Sequence, residues 1–104
     1  MAEESGEDGS PTEDELLEAL DRVSAADILV QALAATASIG FRRVSVEARD
    51  LGQARLAIEA LRALEPVLRE AGVEDALVRD LEQARTNLQL AYAKAVAEEG
   101  SPES

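Results

Sequence analysis

AADILVQALAATASIGF, residues Ala25 to Phe41, is an almost uncharged block interrupted only by Asp27 and Gln31, in a chain that otherwise carries a charge every three or four residues. A helix that is apolar most of the way round is stable in water only inside a bundle, against a partner chain or at a membrane. The block therefore points to association. Ser24 with Asp27 three residues on marks a helix start and Gly40 after Ile39 a terminator, so the block reads as a helix of about four turns. Ala25, Leu29, Ala32, Leu33, Thr36 and Ile39 share one face of it, and Ile28, Val30, Ala35 and Ala37 spread over much of the rest. A membrane span needs about 20 apolar residues. This run is shorter, contains Asp27 and Gln31 and has no second candidate in the chain, so protein and not lipid is expected to cover it.

The rest of the composition agrees with a small helical domain. The 104 residues include 46% hydrophobic residues but a single Met, Tyr and Phe, so Leu, Ile, Val and much Ala must fill one core. From residue 25 onward Ala, Leu, Glu, Arg and Gln dominate, all good helix formers, and the expected class is all-α. Cys and His are both absent. That excludes disulfides, thiolate nucleophiles, imidazole bases and nearly every transition-metal site, and no cofactor or metal is expected. Of the usual staples for a small core only oligomerisation is left, and a homo-oligomer, with a dimer favoured, is the expected partner arrangement.

The net charge of -12 is unevenly placed. Residues 1–18 hold eight acids and no base and residues 98–104 hold three acids and no base, which leaves eleven acids against ten bases between them. The acidity thus belongs to the ends. It reads as solvation of tails, with docking on a basic partner or mimicry of nucleic acid as the alternative. Met1-Ala-Glu-Glu-Ser-Gly-Glu-Asp has neither the positive nor the apolar region of a secretory signal, so a cytoplasmic protein is expected.

Along the chain, residues 1–11 read as a disordered acidic leader, 12–22 as a short helix, 23–97 as the helical domain and 98–104 as an acidic disordered tail. Thr12 with Glu15 forms a capping-box pattern ahead of Leu16, Leu17 and Leu20, a small apolar stripe expected to dock back onto the domain, or else to serve as a partner-binding motif. Phe41 to Asp50 (FRRVSVEARD) is the one segment with period-two character, a short extended stretch or a loop. Its Arg42, Arg43 and Arg49 form the one basic cluster, either an anion or nucleic-acid contact or a solvated connection that pairs with Glu47 or the tails. Asp50 with Gln53 starts a long helix whose buried stripe is Leu51, Ala54, Ile58, Leu61, Leu64 and Leu68. Arg55, Glu59, Arg62, Glu65 and Arg69 alternate in sign on its solvated side, Pro66 predicts a kink or break near Glu65, and Gly72 ends it. The last helix runs from Glu74 or Asp75 to the Glu98 region, closed by Gly100 and Pro102. Its seam is Leu77, Leu81, Ala84, Leu88, Ala91 and Ala95, with Val78, Leu90, Tyr92 and Val96 off the seam.

The order of these elements resembles a DUF1844-like family of short bacterial helical proteins. The similarity covers roughly residues 25–96 and lies in LVQALAATASIG, in the D-L-x-x-A-x-x-A-I-x-x-L spacing of Asp50 to Leu61, and in the L-x-x-A-Y pattern within Leu88 to Ala95. The chain departs from that pattern in two places: aliphatic residues stand where the family has an aromatic in the first helix, and Phe41-Arg42-Arg43 stands where it has a proline in the turn after its Gly. The resemblance implies no activity, cofactor or catalytic residue, and points only weakly toward the translation apparatus.

The expected fold is a small helical bundle of three main helices plus a short N-terminal helix, completed by self-association. Ile28, Leu29, Leu33, Ile39, Ile58, Leu61, Leu77, Leu81, Leu88 and Tyr92 are the expected core or oligomer-interface residues. Asp27, Asp50, Glu74 and Asp75 are each explained by helix starts, and no pair of carboxylates stands on an apolar face, so no enzyme is expected. A non-enzymatic oligomerisation or protein-interaction module is the leading function; an accessory factor touching RNA or the translation apparatus through the Arg42–Arg49 connection is the alternative.

Overall fold

A computed structural model describes residues 12–100, so the expectations for the leader at 1–11 and for the tail at 101–104 fall outside the described residues. Four α-helices follow one another: α1 (Glu13–Asp21), α2 (Ala25–Val44), α3 (Leu51–Glu70) and α4 (Asp75–Gly100), with a 3-10 turn at Val46–Ala48 between α2 and α3. The class is all-α, and no strand occurs among the described residues. Side chains at the boundaries account for three of the helix starts. Thr12 and Glu15 make the reciprocal capping box of α1, the Ser24 hydroxyl accepts from the backbone N–H groups of Ala26 and Asp27, and the Asp50 carboxylate accepts from that of Gln53 at 3.2 Å. At the end of α3, Gly72 takes a φ of +84°. There the N–H of Val73 donates to the carbonyl of Leu68 and that of Gly72 to Arg69, the paired bonds of a Schellman stop.

The three long helices each pack against the other two. Leu61, Leu68, Val78 and Leu88 are the largest side chains removed from solvent altogether. Leu33 and Ala37 from α2, Leu61 and Leu68 from α3, and Val78 and Leu81 from α4 make one cluster, and Ala57, Ile58 and Leu88 make a second, flanked by Val44 and Tyr92. Of the expected α3 stripe, Ala54, Ile58, Leu61 and Leu68 are buried and Leu51 and Leu64 partly so, and Ala57 and Glu65 join it. The shape is elongated: the radius of gyration is 19.2 Å, against about 13 Å for a compact domain of 100 residues. Such a body has much surface for its core.

Several boundaries differ from the sequence reading for local physical reasons. Gly40 does not stop α2, which continues to Val44. It is instead a crossing point, because a Cβ placed there would lie 2.6 Å from a methyl of Leu88 and 2.9 Å from the Cβ of Ala57. Extension of α2 by those four residues also converts the expected period-two segment into helix followed by the 3-10 turn. α3 is not broken at Pro66. Pro66 and Arg62 both lie on the solvent side, so the acceptor that the ring leaves without its intrahelical donor is not sealed in the core, and Leu61 and Leu68 anchor the helix on either side. Glu98 to Gly100 belong to α4 and not to a disordered tail. In α4, Val78 takes the buried place expected for Leu77, which is exposed.

Candidate functional site

The feature that stands out is the uncovered side of α2. Of its 20 residues only Leu33, Ala37 and Gly40 are buried, with Leu29 and Val30 partly so. On the opposite side Ile28, Ala32, Ala35, Ile39 and Arg42 follow one another at spacings of 4, 3, 4 and 3, the period of a seam between two helices, and all five are exposed. Ile28 is 51% and Ile39 53% accessible. Little polarity relieves this face. The Ser38 hydroxyl donates back to the carbonyl of Ala34 and that of Thr36 to Ala32, which leaves Gln31 as the amide among aliphatic neighbours.

α1 extends the same theme. Leu16, Leu17, Leu20 and Val23 are all exposed, Leu20 to 65%. The expectation that this stripe docks back is not met: α1 packs against no other helix among the described residues, and its axis is bent 86° from that of α2. Three residues, Arg22 to Ser24, separate the two helices, and the Leu16, Leu17 and Leu20 stripe is left without a partner on its own domain. No single helix among the described residues is long and apolar enough to cross a membrane; α1 and α2 reach that length only as the bent pair.

The expected basic cluster is divided. Arg49 donates to the carbonyl of Val44 at 2.8 Å and pairs with Glu98 at 3.1 Å and Glu99 at 3.3 Å, with its side chain only 16% exposed. Arg43 reaches the carbonyl of Ala48, and the Nε atoms of both arginines are buried without a hydrogen-bond partner. Arg49 ties the α2–α3 connection to the end of α4, and Arg43 braces the connection from within. Arg42 alone is exposed, and it makes no ion pair among the described residues.

Of the other expected core or interface residues, Leu33, Ile58, Leu61, Leu81 and Leu88 are buried, Leu29 is partly buried, and Tyr92 leans on the Ala57, Ile58 and Leu88 cluster. Ile28, Ile39 and Leu77 are outside the core. One charged residue lies on the side opposite to that expected. Glu65, read as solvated, is 4% exposed, and its carboxylate accepts from the Nε of Arg85 at 2.8 Å while Arg85 also donates to Gln89 at 3.2 Å. Its position three and four residues from Leu68 and Leu61 places it on the buried stripe, a signal the sequence does contain.

One concave feature, of about 310 Å³, lies between the start of α2 and the α3–α4 turn, and its charged residues are the carboxylates Asp27 and Glu74. Among the described residues no group of three His, Cys, Asp or Glu side chains is placed to hold a metal ion. Comparison with family models, with curated proteins and with solved structures gives no match to this chain.

Proposed function

We propose that this protein is a non-enzymatic helical module that works by association, first with itself, and that a second copy completes the bundle which α2, α3 and α4 begin. The observation that carries this reading is the exposed Ile28, Ala32, Ala35 and Ile39 face of α2. Each buried aliphatic side chain is worth about 1.5–3 kcal/mol, so two half-exposed isoleucines with alanines between them are a strong incentive to pair. The α1 leucines enlarge the apolar surface at one end and give the same module a means of gripping a protein partner. The alternative contact with RNA finds less support, since Arg43 and Arg49 are already committed to backbone carbonyls and to Glu98 and Glu99. Light scattering behind size-exclusion chromatography tests the proposal: twice the 11.0 kDa chain mass is expected at micromolar concentration, and a monodisperse monomer overturns it.

A further inference from the structure

The seam on α2 has a property that a merely apolar face lacks: its order of side-chain sizes, Ile28, Ala32, Ala35, Ile39, is a palindrome that matches a copy of itself. We infer that α2 pairs with α2 of a second copy running antiparallel, about a two-fold axis that passes beside residues 33 and 34; this rests on the self-association proposed above. Ile28 then meets Ile39 of the second copy and Ala32 meets its Ala35, and the two-fold repeats both layers. The centre of the contact holds only alanines, which lets the two backbones approach toward the short end of the usual interaxial range of about 8–10 Å. The isoleucines close it at each end.

Charge selects the antiparallel direction. Asp27 in the first turn stands on one flank of the seam, Arg42 at the seam's C-terminal end leans to the same flank, and neither makes an ion pair among the described residues. With Ile28 beside Ile39, Arg42 stands level with residue 25 of the second copy, about 3 Å along the axis from Asp27. Two symmetric Asp27–Arg42 pairs form. A parallel pair in register would instead hold Asp27 and Arg42 at opposite ends of the contact, with no Asp27–Arg42 pair and with the helix dipoles side by side in the same sense. Antiparallel pairing also places the start of each α2 beside the end of the other, so α1 springs from the body next to Phe41 and Arg42 of the second copy.

The absence of cysteine makes the test clean. Chains carrying Ile28→Cys and Ile39→Cys are purified separately, then oxidised alone and as a mixture, with wild-type mass measured alongside and helix content checked by circular dichroism. A disulfide needs Cα atoms about 4.4–6.8 Å apart. In the inferred register residues 28 and 39 of the two copies face each other, whereas the two residues 28 are separated by about 16 Å along the axis. The expected result is a covalent dimer in the mixture and none from either variant alone. A wild-type dimer whose variants crosslink singly, or not at all, overturns the inferred pairing while leaving self-association in place. A wild-type monomer overturns both. As a second reading, Arg42→Glu should weaken the dimer roughly tenfold through loss of two surface ion pairs and the repulsion that replaces them. Adding Asp27→Lys should restore it, and failure of that restoration is evidence against the antiparallel register.

Discussion

The two sides of α2 are made of nearly the same material and have opposite fates. Leu33, Ala37 and Gly40 are sealed against α3 and α4, while Ile28, Ala32, Ala35 and Ile39, no less apolar, face outward. The difference is in relief and in what stands opposite. On the inner side the residues shrink from Leu33 through Ala37 to Gly40, so α2 closes onto Ala57 and Leu88 toward its C-terminal end. On the outer side the large residues sit at the ends and the small ones in the middle. Hydrophobicity sets how much of a helix must be covered; the sequence of side-chain sizes decides which surface fits it.

That contrast can be broken from the inside first. Leu88 is completely buried at the point where Gly40 crosses, and Leu88→Ala should cost about 2–5 kcal/mol in a urea or thermal melt. A loss below about 0.5 kcal/mol, the range of surface substitutions, would mean that this side is not the core. Next comes the buried ion pair: Glu65→Ala strands the Arg85 guanidinium, partly shielded by its 23% side-chain exposure, and should cost about 1–3 kcal/mol. Replacing both partners by leucine should recover most of that loss, because removing the pair together leaves no unpaired charge.

Gly40→Ala sets two effects against each other. Helix propensity favours alanine by about 1 kcal/mol, but the new methyl meets the Cβ of Ala57, which cannot rotate away as the tip of Leu88 can. Overpacking of this kind costs about 1–3 kcal/mol, so a net loss is expected. Gly52, where a Cβ meets only an oxygen of Asp50 at 3.5 Å, is the control, and Gly52→Ala should be neutral or stabilising by up to about 1 kcal/mol. On the outer side Ile28→Asp should shift the stability of the dilute monomer by no more than about 0.5 kcal/mol. The same substitution should abolish the dimer in light scattering. A variant that unfolds the monomer would place Ile28 in the core after all.

How much of this was legible in the residues depended on whether the signal was local. Capping at Thr12, Ser24 and Asp50 is written in short-range chemistry and appears where the sequence places it. The centre of the α3 stripe follows from one helix's periodicity, and Ala54, Ile58, Leu61 and Leu68 are buried where it puts them. Gly40 is not legible in this way, because a glycine that ends a helix and one that lets two helices touch look alike until Leu88 and Ala57 are brought to it from 48 and 17 residues away. The same limit applies to the outward placing of Ile28 and Ile39. A helix that is apolar all round carries no mark for which side its own chain will take, and neighbouring α3 and α4 made that choice. Arg49 belongs here as well, since its glutamate partners lie at the far end of α4.

α1 has nine residues and no tertiary support among the described residues, and it rests on its Thr12–Glu15 cap alone. Lone helices shorter than about 12–15 residues are marginal in water. Its amides should therefore exchange with deuterium far sooner than those around Leu61 or Leu88, and brief proteolysis should trim the chain back toward Ser24 and leave a resistant fragment. Recognition through the α1 leucines would then include the ordering of a segment that spends part of its time unwound, which favours quick release over tenacity.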